Sequence, residues 1–373
     1  MKIVIASDSF KGSMTSLEVA ASARLGILRV CPDYEVVAVN VADGGEGTVD
    51  AIIGALKGTI VNCVVSDPLG RPIQASYGIA GDTAVLEMAA ASGLPLLHVN
   101  ERNPWVTSTF GTGEMIMDAI ARGCRKFLVG IGGSATNDAG MGMLQAMGFR
   151  FYDMNNELIT RGSGGVLGTI ARIDDSLVST AVKESVFIVA CDVDTPFCGP
   201  NGAAPVFAPQ KGADVDMVSL LDDGMASFAR VIEKKYAVNV VSVAGAGAAG
   251  GMGGAFLAFL SATLKKGVDM VLDAIDFDTT ITGADLIITG EGKIDFQTAK
   301  GKTAAGVLSR AKKQHIPVVA IGGCVEMCDS LSQLGFAGIY PILEEKVPLK
   351  VAMQREFAMN NVQKTITRIL EFL

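Results

Sequence analysis

Short apolar runs alternate with helical patterns at both ends of the chain, and this rhythm predicts β-α units. Near the N-terminus we predict strand 3–6, a helix from about 14 to 30, strand 36–41 and a helix from about 47 to 57. Near the C-terminus we predict strands 285–289, 317–321 and 337–340, with helices near 303–314, 328–335 and 350–371. Strands that alternate with helices are typical of a parallel sheet. The two ends together therefore predict one five-stranded, flavodoxin-like sheet of order 2-1-3-4-5.

The middle of the chain has a different pattern, which predicts a mixed sheet. Residues 59–65, 73–80 and 83–89 alternate as antiparallel strands do, with turn residues between them. Helices near 111–122 and 138–147 and strands 127–131, 149–152 and 186–190 follow. A length of 373 residues also favours two domains. We predict an α/β fold with a flavodoxin-like domain of residues 1–58 and 268–373, an inserted α/β domain of residues 59–267, and the active site in the cleft between them.

Five of the apolar runs lead directly into a segment that carries acidic residues, in most cases together with glycine. These segments are 7–11, 43–47, 131–138, 191–194 and 290–295. Ligands of open parallel sheets bind beyond the carboxyl ends of the strands. Carboxylates can hold magnesium there, and glycine amides can approach a phosphate closely. The pattern therefore indicates phosphoryl transfer.

Composition narrows the classes of partner. The formal net charge is −8 and no cationic block is present, which argues against a nucleic-acid partner. The stretch from Val238 to Leu264 has no charged residue and is long enough to span a membrane, but its six glycines favour a strand, a loop and a helix. The seven cysteines lack a disulfide-like spacing, so we expect a reducing cytoplasm.

Each of two glycine motifs has both a ligand-binding and a purely structural interpretation. Residues 245–250 spell Gly-x-Gly-x-x-Gly after a strand-like segment, 240–243. This motif predicts either a dinucleotide phosphate site or close packing of a helix on a loop. Gly301-Lys302-Thr303 resembles the end of a P-loop, but Phe296 stands where the first glycine is required, so a helix start is favoured.

Paired carboxylates are the strongest candidates for chemistry. Asp43 and Glu46 lie among three glycines, and the alternative to a functional role is a helix capping box. Asp192 and Asp194 flank Val193 after an apolar strand, where alternation would point both to one face to bind magnesium or accept a hydroxyl proton. The alternative for that pair is turn chemistry before Pro196.

Further candidate residues also follow predicted strands in other segments. Asn137 with Asp138, and Glu291 with Asp295, follow predicted strands. Lys11 and Lys293 are the cations best placed to meet phosphates, and Lys211 and Arg71 are weaker candidates. The two histidines, His98 and His315, have no nucleophile beside them, so a histidine-dependent hydrolase has little support.

Several long motifs resemble those of class I bacterial glycerate kinases. They are Asp8-Ser9-Phe10-Lys11-Gly12-Ser13, Ala42-Asp43-Gly44-Gly45-Glu46-Gly47-Thr48, residues 131–138, 190–194, 209–213, 245–254 and 289–295. The resemblance implies two α/β domains, one flavodoxin-like and one similar to restriction enzymes. It also implies ATP-dependent phosphorylation of D-glycerate with magnesium in the catabolism of two- and three-carbon acids. The implied product is 2-phosphoglycerate, and 3-phosphoglycerate stays open.

With this resemblance we assign candidate roles. The catalytic candidates are Asp192, Asp43 and Lys11. The substrate-binding candidates are Asp8, Ser9, Lys293 and Arg71. The nucleotide-binding candidates are Gly132, Gly133, Ser134, Asn137, Gly245, Gly247, Gly250 and Gly251. The magnesium ligands are expected among Glu46, Asp194, Glu291 and Asp295. The chain departs from the family at Ser7, Lys293 and Ala304, where proline, arginine and proline are frequent, which puts affinity in doubt more than activity.

Two alternatives to a kinase stay open. A nicotinamide-dependent oxidoreductase would rest on residues 245–250 alone. A non-catalytic metabolite-binding protein would need the pocket but not so many acidic groups. In every case we expect small-molecule ligands, no nucleic acid and no membrane, and the sequence leaves a homodimer open.

Overall fold

The computed structural model describes residues 1–343 and 347–371. The described chain forms two compact units. The terminal unit comprises Met1–Leu56 and Val268–Leu373, and the inserted unit comprises Lys57–Gly267. The division into domains at 58/59 and 267/268 stays a prediction, because a compact set of contacts does not test whether either part folds alone. The cleft expected between the domains also stays a prediction.

Strands and helices are numbered separately, each in chain order. The strands are β1 (Lys2–Ser7), β2 (Glu35–Asn40), β3 (Thr59–Ser66), β4 (Pro72–Ala80), β5 (Thr83–Glu87), β6 (Lys126–Gly130), β7 (Arg150–Tyr152), β8 (Arg172–Asp174), β9 (Val186–Ala190), β10 (Thr263–Lys265), β11 (Leu286–Ile294), β12 (Val318–Val325) and β13 (Gly338–Pro341). The helices are α1 (Ser16–Val30), α2 (Thr48–Leu56), α3 (Ala89–Ser92), α4 (Phe110–Ala121), α5 (Met141–Ala146), α6 (Thr180–Lys183), α7 (Ala203–Phe207), α8 (Val215–Tyr236), α9 (Ala248–Leu260), α10 (Gly267–Ala274), α11 (Phe277–Thr280), α12 (Phe296–Ala299), α13 (Thr303–Lys313), α14 (Asp329–Ser332), α15 (Leu349–Ala352) and α16 (Arg355–Glu371).

The terminal unit contains a parallel sheet of spatial order β13-β12-β11-β1-β2. Numbered along the chain, its strands have the predicted flavodoxin-like order 2-1-3-4-5. The side chains of β1 are buried from Ile3 to Ala6, as expected for a strand covered on both faces. The strand order reverses between β1 and β11, and this switch point is where such sheets bind ligands.

Strand β11 is longer than the sequence predicted. We expected a loop from Gly290 onwards, but the strand continues to Ile294 because β12 is long enough to pair with it. A side chain at Gly290 would place its Cβ 2.6 Å from the carbonyl oxygen of Ile321, so glycine is needed for this pairing. As a result, Glu291 and Lys293 are held on a strand and not on a loop.

The inserted unit has a mixed sheet, as predicted, and its spatial order is β10-β9-β6-β5-β4-β3. Its β3-β4 and β4-β5 pairs are antiparallel and the remaining pairs are parallel. The long helix α8, which we did not predict, buries Leu221, Met225, Phe228 and Ile232. Those residues form an apolar stripe at helical spacing, so the signal was present in the sequence.

The segment before the glycine motif is not a strand. Residues 240–243 form turns, and α9 begins only at Ala248, with left-handed backbone at Ala249, Gly250 and Gly251. The strand-like interpretation of 240–243 was therefore wrong. Among the described residues, no helix combines the length and apolar character needed to cross a membrane.

Candidate active site

Three carboxylates meet at the switch point of the parallel sheet. Asp8 directly follows β1, Asp43 follows β2, and Glu291 lies in β11. All three line one cavity of about 480 Å³ within the terminal unit. Lys11, Lys293, Lys302 and Ser9 also line it, as do apolar side chains that include Phe10 and Ile342. The cavity therefore combines an apolar wall with closely spaced acidic and basic groups.

Asp8 is held in place by two hydrogen bonds and is only 4% exposed. Its Oδ1 accepts from the Ser9 amide at 2.6 Å, and its Oδ2 accepts from the Thr303 hydroxyl at 2.7 Å. Burial and the nearby Asp43 raise the pKa of Asp8 to about 6, against the lowering effect of Thr303, Ser9 and Lys11. The carboxylate is thus fixed in orientation and titrates close to neutral pH.

Glu291 is the second perturbed carboxyl group and is 6% exposed. Burial raises its pKa to about 7. The Thr298 hydroxyl, which donates to Oε1, and Lys302 act to lower this pKa, while Asp8 and Asp43 raise it further. Perturbed carboxyl groups of this kind, gathered in a cavity, are typical of functional sites.

Asp43 is not the helix cap that the sequence left as an alternative. Helix α2 begins at Thr48, too far along the chain for Asp43 to be its N-cap residue. Instead, Asp43 accepts from the Gly45 amide at 3.2 Å and forms an ion pair with Lys11, whose Nζ lies 3.6 Å away. Glu46 lines a neighbouring cavity of about 370 Å³, which also contacts Asp8, Ser9 and Lys11.

Lys293 and Asp295 bind each other at one end of β11. Lys293 Nζ lies 3.3 Å from Asp295 and 2.9 Å from Glu326. Asp295 also caps α12 by accepting from the Gln297 amide at 2.8 Å. Burial acts to raise the pKa of Asp295, but the amide and Lys293 outweigh it and lower the pKa. Asp295 is thus engaged in local structure.

Lys302 is a candidate that sequence reasoning missed. It precedes α13 and lines the cavity, and the next residue, Thr303, donates to Asp8. Its signal was the Gly301-Lys302-Thr303 motif, which we attributed to a helix start. That interpretation was correct locally, but it overlooked the proximity of this helix start to Asp8.

In the inserted unit, the segment after β6 forms a tightly bonded loop. Gly132 and Gly133 are exposed, whereas residues 134–138 are buried. Lys211, only 1% exposed, donates to Ser134 Oγ at 2.7 Å and to the Thr136 carbonyl at 2.6 Å. Burial lowers the pKa of Lys211 to about 7, and Asp138 opposes that shift. Lys211 therefore holds the loop, which differs from the phosphate-facing position we considered for it.

Asn137 and Asp138 are buried residues of this loop. Asp138 accepts from the Thr109 amide and hydroxyl, both at 2.8 Å, and from the Gly142 amide at 3.1 Å. The Asn137 amide group donates to Met225 Sδ at 3.2 Å, and its Oδ1 is buried without a hydrogen-bond partner among the described residues. Both side chains stabilise the loop, and the nucleotide contact assigned to Asn137 stays a prediction.

The glycines of the 245–251 motif pack closely against protein backbone. A Cβ at Gly247 would lie 2.1 Å from the Pro196 carbonyl oxygen, and one at Gly250 would lie 2.2 Å from that of Thr136. Gly245 and Gly251 are similarly enclosed, by Cys191 and Met225 respectively. This is the close packing that we considered as the alternative to a dinucleotide site.

Asp192, Asp194 and Arg71 also belong to the inserted unit. Strand β9 ends at Ala190, so strand alternation does not apply to Asp192 and Asp194, and our argument for a shared face was wrong. Both residues are exposed, and Asp192 Oδ1 accepts from the Gly267 amide at 2.9 Å. Arg71 forms ion pairs with Asp67 at 2.5 Å and Glu101 at 2.7 Å.

Comparisons with known proteins identify the family. The glycerate kinase family model matches residues 3–373. The chain is 46% identical to the glycerate kinase of Bacillus subtilis strain 168, over 95% of this chain and 93% of that protein. It is also 46% identical to the glycerate 2-kinase of Escherichia coli K12, over 92% and 91% of the two chains. The chain belongs to the glycerate kinase family.

A solved structure supports the same conclusion at the level of the fold. The crystal structure described as a glycerate kinase 2 of Salmonella typhimurium LT2 matches with a TM-score of 0.90 and 40% identity. The match covers 100% of this chain and 98% of that one. As a member of the glycerate kinase family, the protein is an enzyme of the kinase class.

Kinases of this family need a nucleotide, and phosphoryl transfer usually also needs a metal ion. In residues 1–343 and 347–371, no group of three or more His, Cys, Asp or Glu side chains could hold a metal ion by itself. Magnesium is commonly bound by only one or two carboxylates together with substrate phosphates. The crowded carboxyl groups of Asp8, Asp43 and Glu291 fit that kind of site, because a cation would relieve their mutual repulsion.

Proposed function

We propose that the enzyme transfers the γ-phosphoryl group of ATP to the 2-hydroxyl of D-glycerate and forms 2-phosphoglycerate. The observation that carries this proposal is the convergence of Asp8, Asp43 and Glu291 with three lysines at one switch-point cavity. The product is supported by the similarity to a protein named glycerate 2-kinase. A role in the catabolism of small organic acids is part of the same proposal.

The lysines of the cavity would neutralise the negative charges of the two substrates. Glycerate carries a carboxylate, and ATP carries several phosphate charges, so the acceptor and donor repel each other. Lys11, Lys293 and Lys302 line the cavity and would bind these anions. Positioning and electrostatic stabilisation supply most of the rate enhancement in phosphoryl transfer. We expect Asp8 and Ser9 to orient the glycerate hydroxyl groups.

Some of the carboxylates would accept a proton, and others would bind magnesium. Asp43, which is paired with Lys11, would accept the proton of the attacking hydroxyl. Asp192 is the other proposed acceptor. Glu291 would hold magnesium together with the ATP phosphates, and the bound ion would neutralise phosphate charge. Glu46 and Asp194 are further proposed ligands, while the helix cap formed by Asp295 makes it a weaker one.

For the nucleotide we propose the exposed turn after β6. The amides of Gly132 and Gly133 would contact phosphate, with Ser134 held beneath them by Lys211. Gly245, Gly247, Gly250 and Gly251 would act indirectly, because their close packing supports that loop and its neighbours. The free state of all seven cysteines supports a reducing cytoplasm as the site of action.

The direct test is phosphorus NMR of a reaction that contains the enzyme, D-glycerate, ATP and magnesium. We expect a new phosphomonoester signal that coincides with added 2-phosphoglycerate and requires glycerate. Asp43→Asn is the matched variant, because it keeps the shape of the side chain and removes its charge. A signal at the 3-phosphoglycerate position would overturn the assigned hydroxyl. If ATP consumption did not depend on glycerate, the whole proposal would fail.

A further inference from the structure

Strand β3 forms one edge of the mixed sheet in the inserted unit. The spatial order of that sheet ends at β3, which pairs with β4 on its inner side. Its sequence, Thr-Ile-Val-Asn-Cys-Val-Val-Ser, contains no charged residue and no proline. Charges, prolines and bulges are the usual features that keep edge strands from pairing with other chains. This edge lacks the first two of them.

The register of β3 on β4 shows which backbone groups are directed outward. The Asp67 amide donates to the Arg71 carbonyl, so these two residues form a hydrogen-bonded antiparallel pair. Hydrogen-bonded and non-hydrogen-bonded residue pairs alternate along an antiparallel pair of strands. Ser66 and the opposite Pro72 are therefore a non-hydrogen-bonded pair. By the same alternation, the N–H and C=O groups of Ile60, Asn62 and Val64 point away from β4.

Side-chain exposure indicates the same open region. Ile60 and Val64 are 47% and 65% exposed, and Asn62 between them is also exposed. Val65, by contrast, is buried in the core of the unit. Helix α4 protects the edge near Ser66, whose amide donates to Glu114 at 2.6 Å. The open segment therefore runs from Ile60 to Val64.

We propose that a second copy of this chain pairs with β3 in antiparallel orientation about a two-fold axis at Asn62. Ile60 of one copy then lies opposite Val64 of the other, and the two Asn62 residues face each other. Each outward N–H meets an outward C=O, so both sheets continue across the interface. The exposed Ile60 and Val64 side chains come together as cross-strand apolar pairs.

The charges that flank the open segment favour a second copy in this orientation. Lys57 is exposed two residues before β3, and Glu114 lies at the other end of the strand, where its carboxylate accepts from the Ser66 amide. Asp67 at that end is buried and is neutralised by Arg71, so Glu114 supplies the negative charge. An antiparallel pair brings the basic end of each copy to the acidic end of the other. A parallel pair would place like charges together. Closed two-fold interfaces require this kind of self-complementarity.

A disulfide trap tests the geometry directly. Opposed residues of a bonded antiparallel pair have Cα atoms about 5.5 Å apart, which is within the range that a disulfide spans. Asn62→Cys should therefore form a covalent dimer under mild oxidation. Gln74→Cys, an exposed position on the neighbouring strand, is the matched control and should stay uncrosslinked, as should the unmodified protein.

Sedimentation velocity provides the second test, without any new cysteine. Asn62→Pro removes an outward donor, and it spares the bonds to β4 because Asn62 opposite Ser76 is a non-bonded pair. Val64→Lys introduces charge beside the axis. Both variants should weaken dimerisation at least about tenfold, which corresponds to 1.4 kcal/mol. The control Val99→Lys, at a position that is 76% exposed, should not weaken it.

Circular dichroism and thermal melting would confirm that each variant is folded. A monomeric unmodified protein at micromolar concentration would overturn the proposal. The proposal would also be overturned by two results together: a dimer that neither Asn62→Pro nor Val64→Lys weakens, and an Asn62→Cys protein that does not form a crosslink. Because these measurements do not involve glycerate or ATP, their outcome is independent of the proposed reaction.

Discussion

The hydrogen bond from Thr303 to Asp8 allows a quantitative prediction about the active-site cavity. Thr303→Val removes the hydroxyl that donates to Asp8 Oδ2 and keeps the shape of the side chain. Both residues are buried, so water does not readily replace the lost donor. A hydrogen bond to a charged group contributes about 1.5–3 kcal/mol. Since each pKa unit is 1.36 kcal/mol, the pKa of Asp8 should rise by about one to two units from its value near 6.

The assay is carbon NMR of the aspartate carboxyl groups during a pH titration in the absence of divalent cations. Asp8→Asn identifies the Asp8 signal. If ionised Asp8 orients the substrate, the acid limb of kcat/KM should move upward by the same amount in Thr303→Val. Thr303→Ser keeps the hydroxyl and should titrate as the unmodified protein does. An unchanged Asp8 titration in a folded Thr303→Val protein would refute the reasoning.

Four further predictions concern stability and turnover. The pKa of Glu291 is raised from 4.5 to about 7, so this group alone should lower the unfolding free energy without metal by roughly 3 kcal/mol as pH rises through that window. Glu291→Gln should remove this share of the fall in urea titrations, while the share from Asp8, whose pKa is also raised, should remain. Lys211→Met leaves Ser134 Oγ and the Thr136 carbonyl without their buried donor, and should cost about 1–3 kcal/mol in the same assay. Gly250→Ala should cost more than Gly283→Ala, because both positions have positive φ, but only at Gly250 would the Cβ contact backbone closely; equal urea midpoints would contradict this. Asp192→Asn should lower kcat by about 10²–10⁴ if it accepts the hydroxyl proton, and near-normal turnover would exclude that role.

The sequence alone determined the elements whose signal is local. The β-α rhythm at both chain ends predicted a parallel sheet of order 2-1-3-4-5, and the structure has it. Thr15 has Glu18 at capping-box spacing and forms the N-cap of α1. The strands, helices and cap depend on residues a few positions apart, so periodicity and capping preferences are sufficient to predict them. The order 2-1-3-4-5 was predicted from the topology that such β-α units commonly adopt.

Tertiary structure decided the features that depend on distant residues. Strand β11 continues to Ile294 because β12 pairs with it, and no local pattern contains that information. Residues 240–243 have β-branched character but form turns. The Val241 amide donates to Asn239 Oδ1, and the Val241 carbonyl accepts from the amide of the distant Phe197.

The chemistry of the cavity is likewise a tertiary property. Asp8, Asp43 and Glu291 come from strands far apart in the chain, and only their proximity and burial raise the pKa values of Asp8 and Glu291. Lys302 illustrates the same limit, because its helix start is visible in the sequence and its proximity to the carboxylates is not. Burial and charge act through space. Residue type alone could therefore identify these side chains as candidates, but it could not predict their pKa values.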